Sequence, residues 1–195
     1  MIADKITPEL KQRFKEAILE TRKDGIERGF NICINKKLFA GKTCEGSKCG
    51  ITLPKPKGEC PDKVQGDFHT HPTLYFFKEE LRDVYLPDNV LPPDNILIRS
   101  LDGDIKEKGL TPQTPSHGDI LFGLNMKFFG MSKGTTCIGA DYDDTKVECW
   151  TPKKVSHDEY IRANYELVKG GPETGEPPKK WARSLFEKEI IKINQ

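Results

Sequence analysis

The sequence predicts an α/β domain in which a mixed β-sheet is flanked by helices, and three observations carry that expectation. Apolar residues recur at helical spacing behind a Thr7-Pro8-Glu9 start signal, and a strand-like alternation follows at once. Residues 64–71 read as a buried strand that ends in paired histidines. A later helix opening at Pro115-Ser116 is followed by two short strand-like runs.

The elements follow in order. Thr7 is placed to cap the first helix and Pro8 to occupy its first position. Leu10, Phe14, Ala17, Ile18 and Thr21 share one face, and Gly25 is the expected terminator. Residues 27–34 alternate as a strand. The stretch 36–63, rich in Gly, Pro, Lys and Cys, holds short strands and loops. Residues 73–115 are less regular, break at Pro92-Pro93, and contain a hairpin expected over 95–105. Pro115-Ser116 opens a helix running to Phe128, and residues 135–140 and 146–151 form a strand pair. Ser156 and Glu159 make a capping-box pattern ahead of a helix to Val168. After a Gly/Pro linker over 170–178, Trp181, Leu185, Phe186 and Ile190 predict a terminal helix. The chain thus divides into a domain over 1–151, with an insertion over 73–115, and a C-terminal helical extension over 152–195.

Composition excludes several functions. With 31 basic and 30 acidic residues in 195, the net charge is +1 and no broad cationic field marks a nucleic-acid partner. No apolar run approaches the roughly 20 residues that span a bilayer, and residues 1–11 lack the secretory pattern. A soluble cytoplasmic protein is expected, where its six cysteines would usually be reduced, although intracellular proteins of hyperthermophiles carry disulfides. Cys44, Cys49 and Cys60 fall short of a clean CxxC knuckle, so free thiols or a hairpin disulfide are favoured over a second metal.

The chemistry concentrates in Gly66-Asp67-Phe68-His69-Thr70-His71-Pro72. Side chains at i and i+2 of a strand share a face, so His69 and His71 can aim two imidazoles at one ion. Zinc favours such ligands, and a catalytic site adds a third protein ligand and a water. Ser116-His117-Gly118-Asp119 is first of all a helix-capping pattern. It also puts Asp119 in reach of the same ion as third ligand, with Ser116 beside the open position. Asp83, Asp88, Asp94, Asp102 and Asp104, all in the insertion, are the rival third ligands. His117 and His157 are surface or capping residues without an assigned role.

Taken in order, Glu27, His69-Thr70-His71-Pro72 and Pro115-Ser116-His117-Gly118-Asp119 resemble the JAMM (MPN-type, JAB-domain) metalloproteases over roughly residues 5–151. That family carries a Glu at the start of a strand after the first helix, then HxHP, then PSxxD opening a later helix. The resemblance implies an MPN-like curved mixed sheet and a zinc ion held by His69, His71 and Asp119. It implies Glu27 as general base and Ser116 as hydrogen-bond donor to the oxyanion. It implies a protein substrate as well, a conjugate of ubiquitin or a ubiquitin-like modifier cleaved at an amide or isopeptide bond. Glu16, Glu20, Glu45 and Glu59 are weaker rivals for the base, since none leads a strand directly after the first helix. The chain departs from the family in the long stretch between His71 and Ser116, which suits a lid or substrate platform.

Two other functions compete. A non-catalytic MPN scaffold module would have lost metal ligands, which this chain retains. An unrelated HxH metallohydrolase of small molecules would need a longer chain if built on a large barrel. The apolar face from Trp181 to Ile191 is expected to dock on the domain or on a sister subunit, giving a homo-oligomer.

Overall fold

Helix α1 (Pro8–Asp24) begins where the Thr7 hydroxyl accepts the Leu10 N–H at 3.2 Å. It ends at Gly25, whose φ of 70° is a left-handed conformation that a side chain would strain. Its buried face is Leu10, Phe14, Ala17, Ile18 and Thr21, the stripe its spacing predicts. This is a computed structural model, and it describes residues 1–46, 51–72, 113–170 and 180–194. The hairpin expected over 95–105 and the five rival aspartates lie outside the described residues.

The strands are β1 (Arg28–Asn35), β2 (Lys37–Ala40), β3 (Cys44–Glu45), β4 (Lys63–His71), β5 (Thr135–Ala140), β6 (Lys146–Pro152) and β7 (Phe186–Lys192). They form one sheet in the order β2-β1-β4-β5-β6-β7, with β3 also paired to β1. Every pairing is antiparallel except β4 with β5. A parallel pair needs a crossover. This one brings helix α3 (His117–Phe128) onto the sheet. Among the described residues the other helices are a 3-10 turn (Ile2–Lys5), the single turn α2 (Pro56–Glu59), α4 (His157–Gly170) and the short α5 (Lys180–Ser184).

The sheet is covered on both faces. On the α1 side, Phe14, Phe30 and Phe68 are fully buried, with ring centroids 4.6–5.8 Å apart. Burying each ring is worth roughly 1.5–3 kcal/mol. On the opposite side, Ile120 and Leu124 of α3 pack with Trp150, with Ala163 and Leu167 of α4, and with Phe186. The predicted capping box of α4 is present, with the Glu159 N–H donating to Ser156 Oγ and the Ser156 N–H donating to Glu159 Oε1. No described helix is long and apolar enough to cross a membrane.

Two expectations need correction. The terminal helix is short, and from Phe186 the chain is a strand paired with β6 over its whole length. The extension is therefore part of the sheet, with Phe186 and Ile191 buried and Ile190 exposed. Cysteines expected to be reduced are instead paired as Cys33–Cys60 and Cys137–Cys149. Register explains the second disulfide, because Cys137 and Cys149 face one another directly across β5 and β6. Cys60 is thereby withdrawn from any metal knuckle, while Cys44 keeps a free thiol.

Candidate metal centre

The alternation of β4 sorts its side chains. Phe68 packs into the core beneath α1 and the Thr70 hydroxyl meets Thr21 of that helix, so Asp67, His69 and His71 turn to the face of α3. Neighbouring β1 supplies Gly29 opposite His69. A Cβ at Gly29 would lie 2.4 Å from the Phe68 carbonyl oxygen and 3.2 Å from the His69 Cβ, so the bare backbone lets the two strands close here. The third contribution comes from the crossover. Ser116 caps α3 and places Asp119 one turn in, with both halves of a capping box formed.

These elements bring three donor atoms together. The Nε2 atoms of His69 and His71 are 3.2 Å apart, and Asp119 Oδ2 lies 3.2 Å from the first and 3.6 Å from the second. Ligands about 2.0–2.1 Å from a tetrahedral ion are separated by about 3.3–3.4 Å. The three atoms therefore match one face of such a tetrahedron, and the circle through them has a radius of about 1.9 Å, close to the ideal for those bond lengths. His69, His71 and Asp119 can hold a metal ion. His69 is buried, while His71 and Asp119 are partly open among the described residues.

The field at this point favours positive charge. Burial opposes protonation of His69, yet the carboxylates of Asp119 and Asp67 outweigh it and hold the imidazole well above its usual range. Burial likewise raises Asp119, but His69 and His71 overcome it and hold the carboxyl well below the ordinary value. A cation that displaces the His69 proton satisfies the same carboxylates.

Asp67 is a residue that sequence reasoning missed. Its Oδ2 lies 3.0 Å from His69 Nδ1, which leaves Nε2 free to face the ion. Burial raises its carboxyl above the ordinary range, and the His69 contact draws it back. The signal was present in the alternation, since Asp67 stands two residues before His69 on the same strand face.

Glu27, half-buried in the turn between α1 and β1, borders this cluster. Burial raises its carboxyl, the charges of His69 and His71 pull it down, and Asp119 pushes it up again. The rivals are engaged elsewhere. Glu20 and Glu45 approach Arg28, Glu59 accepts from Asn31 and the Lys42 N–H, and Glu16 accepts from Gln12. Ser116 Oγ accepts the Asp119 N–H, which leaves its own hydroxyl hydrogen available beside the cluster. His117 is buried at the start of α3 rather than exposed, and His157 lies against Phe128. Comparison with known protein families, curated proteins and solved structures finds no match.

Proposed function

We propose that this chain is a JAMM-type zinc metallopeptidase that hydrolyses amide or isopeptide bonds, with conjugates of ubiquitin-like modifiers as its substrate class. The observation that carries the reading is the His69–His71–Asp119 triangle, whose edges of 3.2, 3.2 and 3.6 Å suit tetrahedral zinc. Two further observations support it: the Glu27 carboxyl feels the charges of His69, His71 and Asp119, and Ser116 caps α3 beside Asp119.

Bound zinc would supply a Lewis acid that lowers the pKa of a coordinated water toward about 7. His69, oriented by Asp67, and His71 and Asp119 would hold the ion with one position open. Glu27 would take the proton of the attacking water and hand it to the leaving amine. Its buried setting, which raises the carboxyl, suits a group that must both accept and return a proton near neutrality. The Ser116 hydroxyl, capping α3 through its lone pair, would donate its hydrogen to the oxyanion of the tetrahedral intermediate.

The test compares wild type, Glu27→Gln, and the double variant His69→Ala with His71→Ala. Bound zinc and cleavage of a ubiquitin-like conjugate are measured for each. About one zinc per chain in wild type and in Glu27→Gln, with cleavage lost only in the latter, is the expected result. Full cleavage by Glu27→Gln removes Glu27 as the base, and zinc retained in the double variant removes the site.

A further inference from the structure

The residue between the two histidines has a task of its own. Thr70 is fully buried, as is Thr21 on α1. The β1–β4 ladder runs up to the Gly29–His69 pair, and beyond it a side chain takes over the backbone's role. The Arg28 N–H donates to Thr70 Oγ1 at 2.9 Å. Thr70 Oγ1 lies 2.7 Å from Thr21 Oγ1, and Thr21 Oγ1 donates to the Ile26 carbonyl at 2.9 Å.

Distances favour one direction for this chain. Each hydroxyl has one hydrogen. With the Thr21 hydrogen on the Ile26 carbonyl at 2.9 Å, the hydrogen between the two threonines is that of Thr70. Its other acceptor, the Arg28 carbonyl, stands farther off at 3.3 Å. The relay starts on the peptide N–H just after Glu27 and ends on the carbonyl just before it. Both peptide planes flanking the Glu27 Cα are held, and the carbonyl of Glu27 itself accepts the Gly46 N–H at 2.8 Å. With both planes held, φ and ψ of Glu27 are held, and so is the direction of the Cα–Cβ bond on which its side chain starts.

We propose that Thr70 and Thr21 are positioning residues that set the Glu27 carboxylate against the metal ligands. Thr70 thereby ties the base to the strand that carries His69 and His71. The proposal rests on Glu27 acting as the base of the reaction proposed above. It assigns the central residue of the His-Thr-His run to the base rather than to the metal.

The test uses Thr70→Val, which keeps the shape and removes the hydroxyl, and Thr70→Ser, which restores it. Amide hydrogen exchange is read at Arg28, alongside zinc content and kcat and KM for a ubiquitin-like conjugate. Thr70→Val should keep about one zinc and its KM, lose at least tenfold in kcat, and exchange the Arg28 amide at least tenfold faster. Thr70→Ser should recover both properties. In a Glu27→Gln background, Thr70→Val should cause no further loss of rate. Unchanged Arg28 exchange with unchanged kcat overturns the proposal, and so does a loss of zinc that accounts for the whole rate effect. Should Thr70→Val fail to fold, Thr21→Val removes the link to the Ile26 carbonyl while the Arg28 N–H keeps Thr70 Oγ1 as its acceptor. That variant should keep about one zinc and its KM and still lose kcat, and an unchanged kcat there overturns the proposal. If Glu27→Gln proves fully active, the base assignment fails. The Arg28 exchange result then still decides whether the two threonines hold this segment.

Discussion

Asp119 serves two masters, a helix cap and a metal cluster, and the two can be separated by stability measurements. In Asp119→Asn the side-chain oxygen can still accept the Ser116 N–H, a contact of 2.9 Å in the native chain, so the cap survives. What disappears is the anion facing the two imidazoles at 3.2 and 3.6 Å. A ligand at a hundred times its Kd stabilises the folded state by about 2.7 kcal/mol. In a domain of this size 1 kcal/mol corresponds to about 2–4 °C, so zinc should raise the wild-type Tm by about 5–11 °C over the EDTA-treated protein. Asp119→Asn, compared with its own EDTA-treated form, should show little zinc shift. Ser116→Ala should behave in the opposite way: the lost cap costs about 1 kcal/mol, lowering Tm by about 2–4 °C with or without metal, while the zinc shift remains. Differential scanning calorimetry over a zinc titration gives all three results. A full zinc shift in Asp119→Asn would refute the reasoning and leave Asp119 as a cap alone.

Asp67→Asn should weaken zinc binding about 10–100-fold by loosening the orientation of His69, as chelator competition would show; unchanged affinity would deny Asp67 that role. Cys60→Ser opens a disulfide that closes 27 residues, and the chain-entropy estimate is about 3–4 kcal/mol. Guanidinium unfolding measures it, and equal stability of variant and wild type would argue against the pairing. The Arg28 guanidinium holds the Asp24 carboxyl at about 2, below its ordinary 3.8. Because the folded-state value is depressed, this stabilisation is complete above about pH 4 and is lost as pH falls toward 2. Asp24→Asn should flatten the acid limb of the stability profile over that window, and an unaltered limb would count against the ion pair.

Local patterns made much of the architecture legible. The α1 stripe, its Thr7 and Gly25 ends, the alternation of β1 and β4 and the two capping boxes are all read within a few residues of chain. The last strand was not legible for a physical reason. Trp181, Leu185 and Phe186 fall at helical spacing, but what decides their conformation is the unfilled edge of β6, a partner roughly forty residues away in sequence. Glu187, Lys188 and Lys192 suit a sheet edge, where charge discourages further pairing. The disulfides escaped for a related reason, since spacing says little about pairing while register places Cys137 opposite Cys149. At the site, His69, His71 and Asp119 were named from sequence and the structure brings them together. Asp67 needed only the period-two rule carried one step further back. The Thr21–Thr70 relay joins a helix to a strand and becomes visible only once both are folded.

The crossover that separates the histidines from the cap of α3 now bears on how tolerant this chain is to change. Residues 73–115 separate the two in sequence, yet His71 Nε2 and Asp119 Oδ2, just outside that stretch, stand 3.6 Å apart. An ion held there would act as a clasp between the two ends of that stretch. Doubling the length of a flexible closed loop costs only about 0.6 kcal/mol. Segments of very different length can therefore be spliced between His71 and Ser116 without moving a ligand, so long as the clasp and the parallel β4–β5 pair are kept. Residues 73–115 could then change in length and sequence while His69, His71 and Asp119 kept their places.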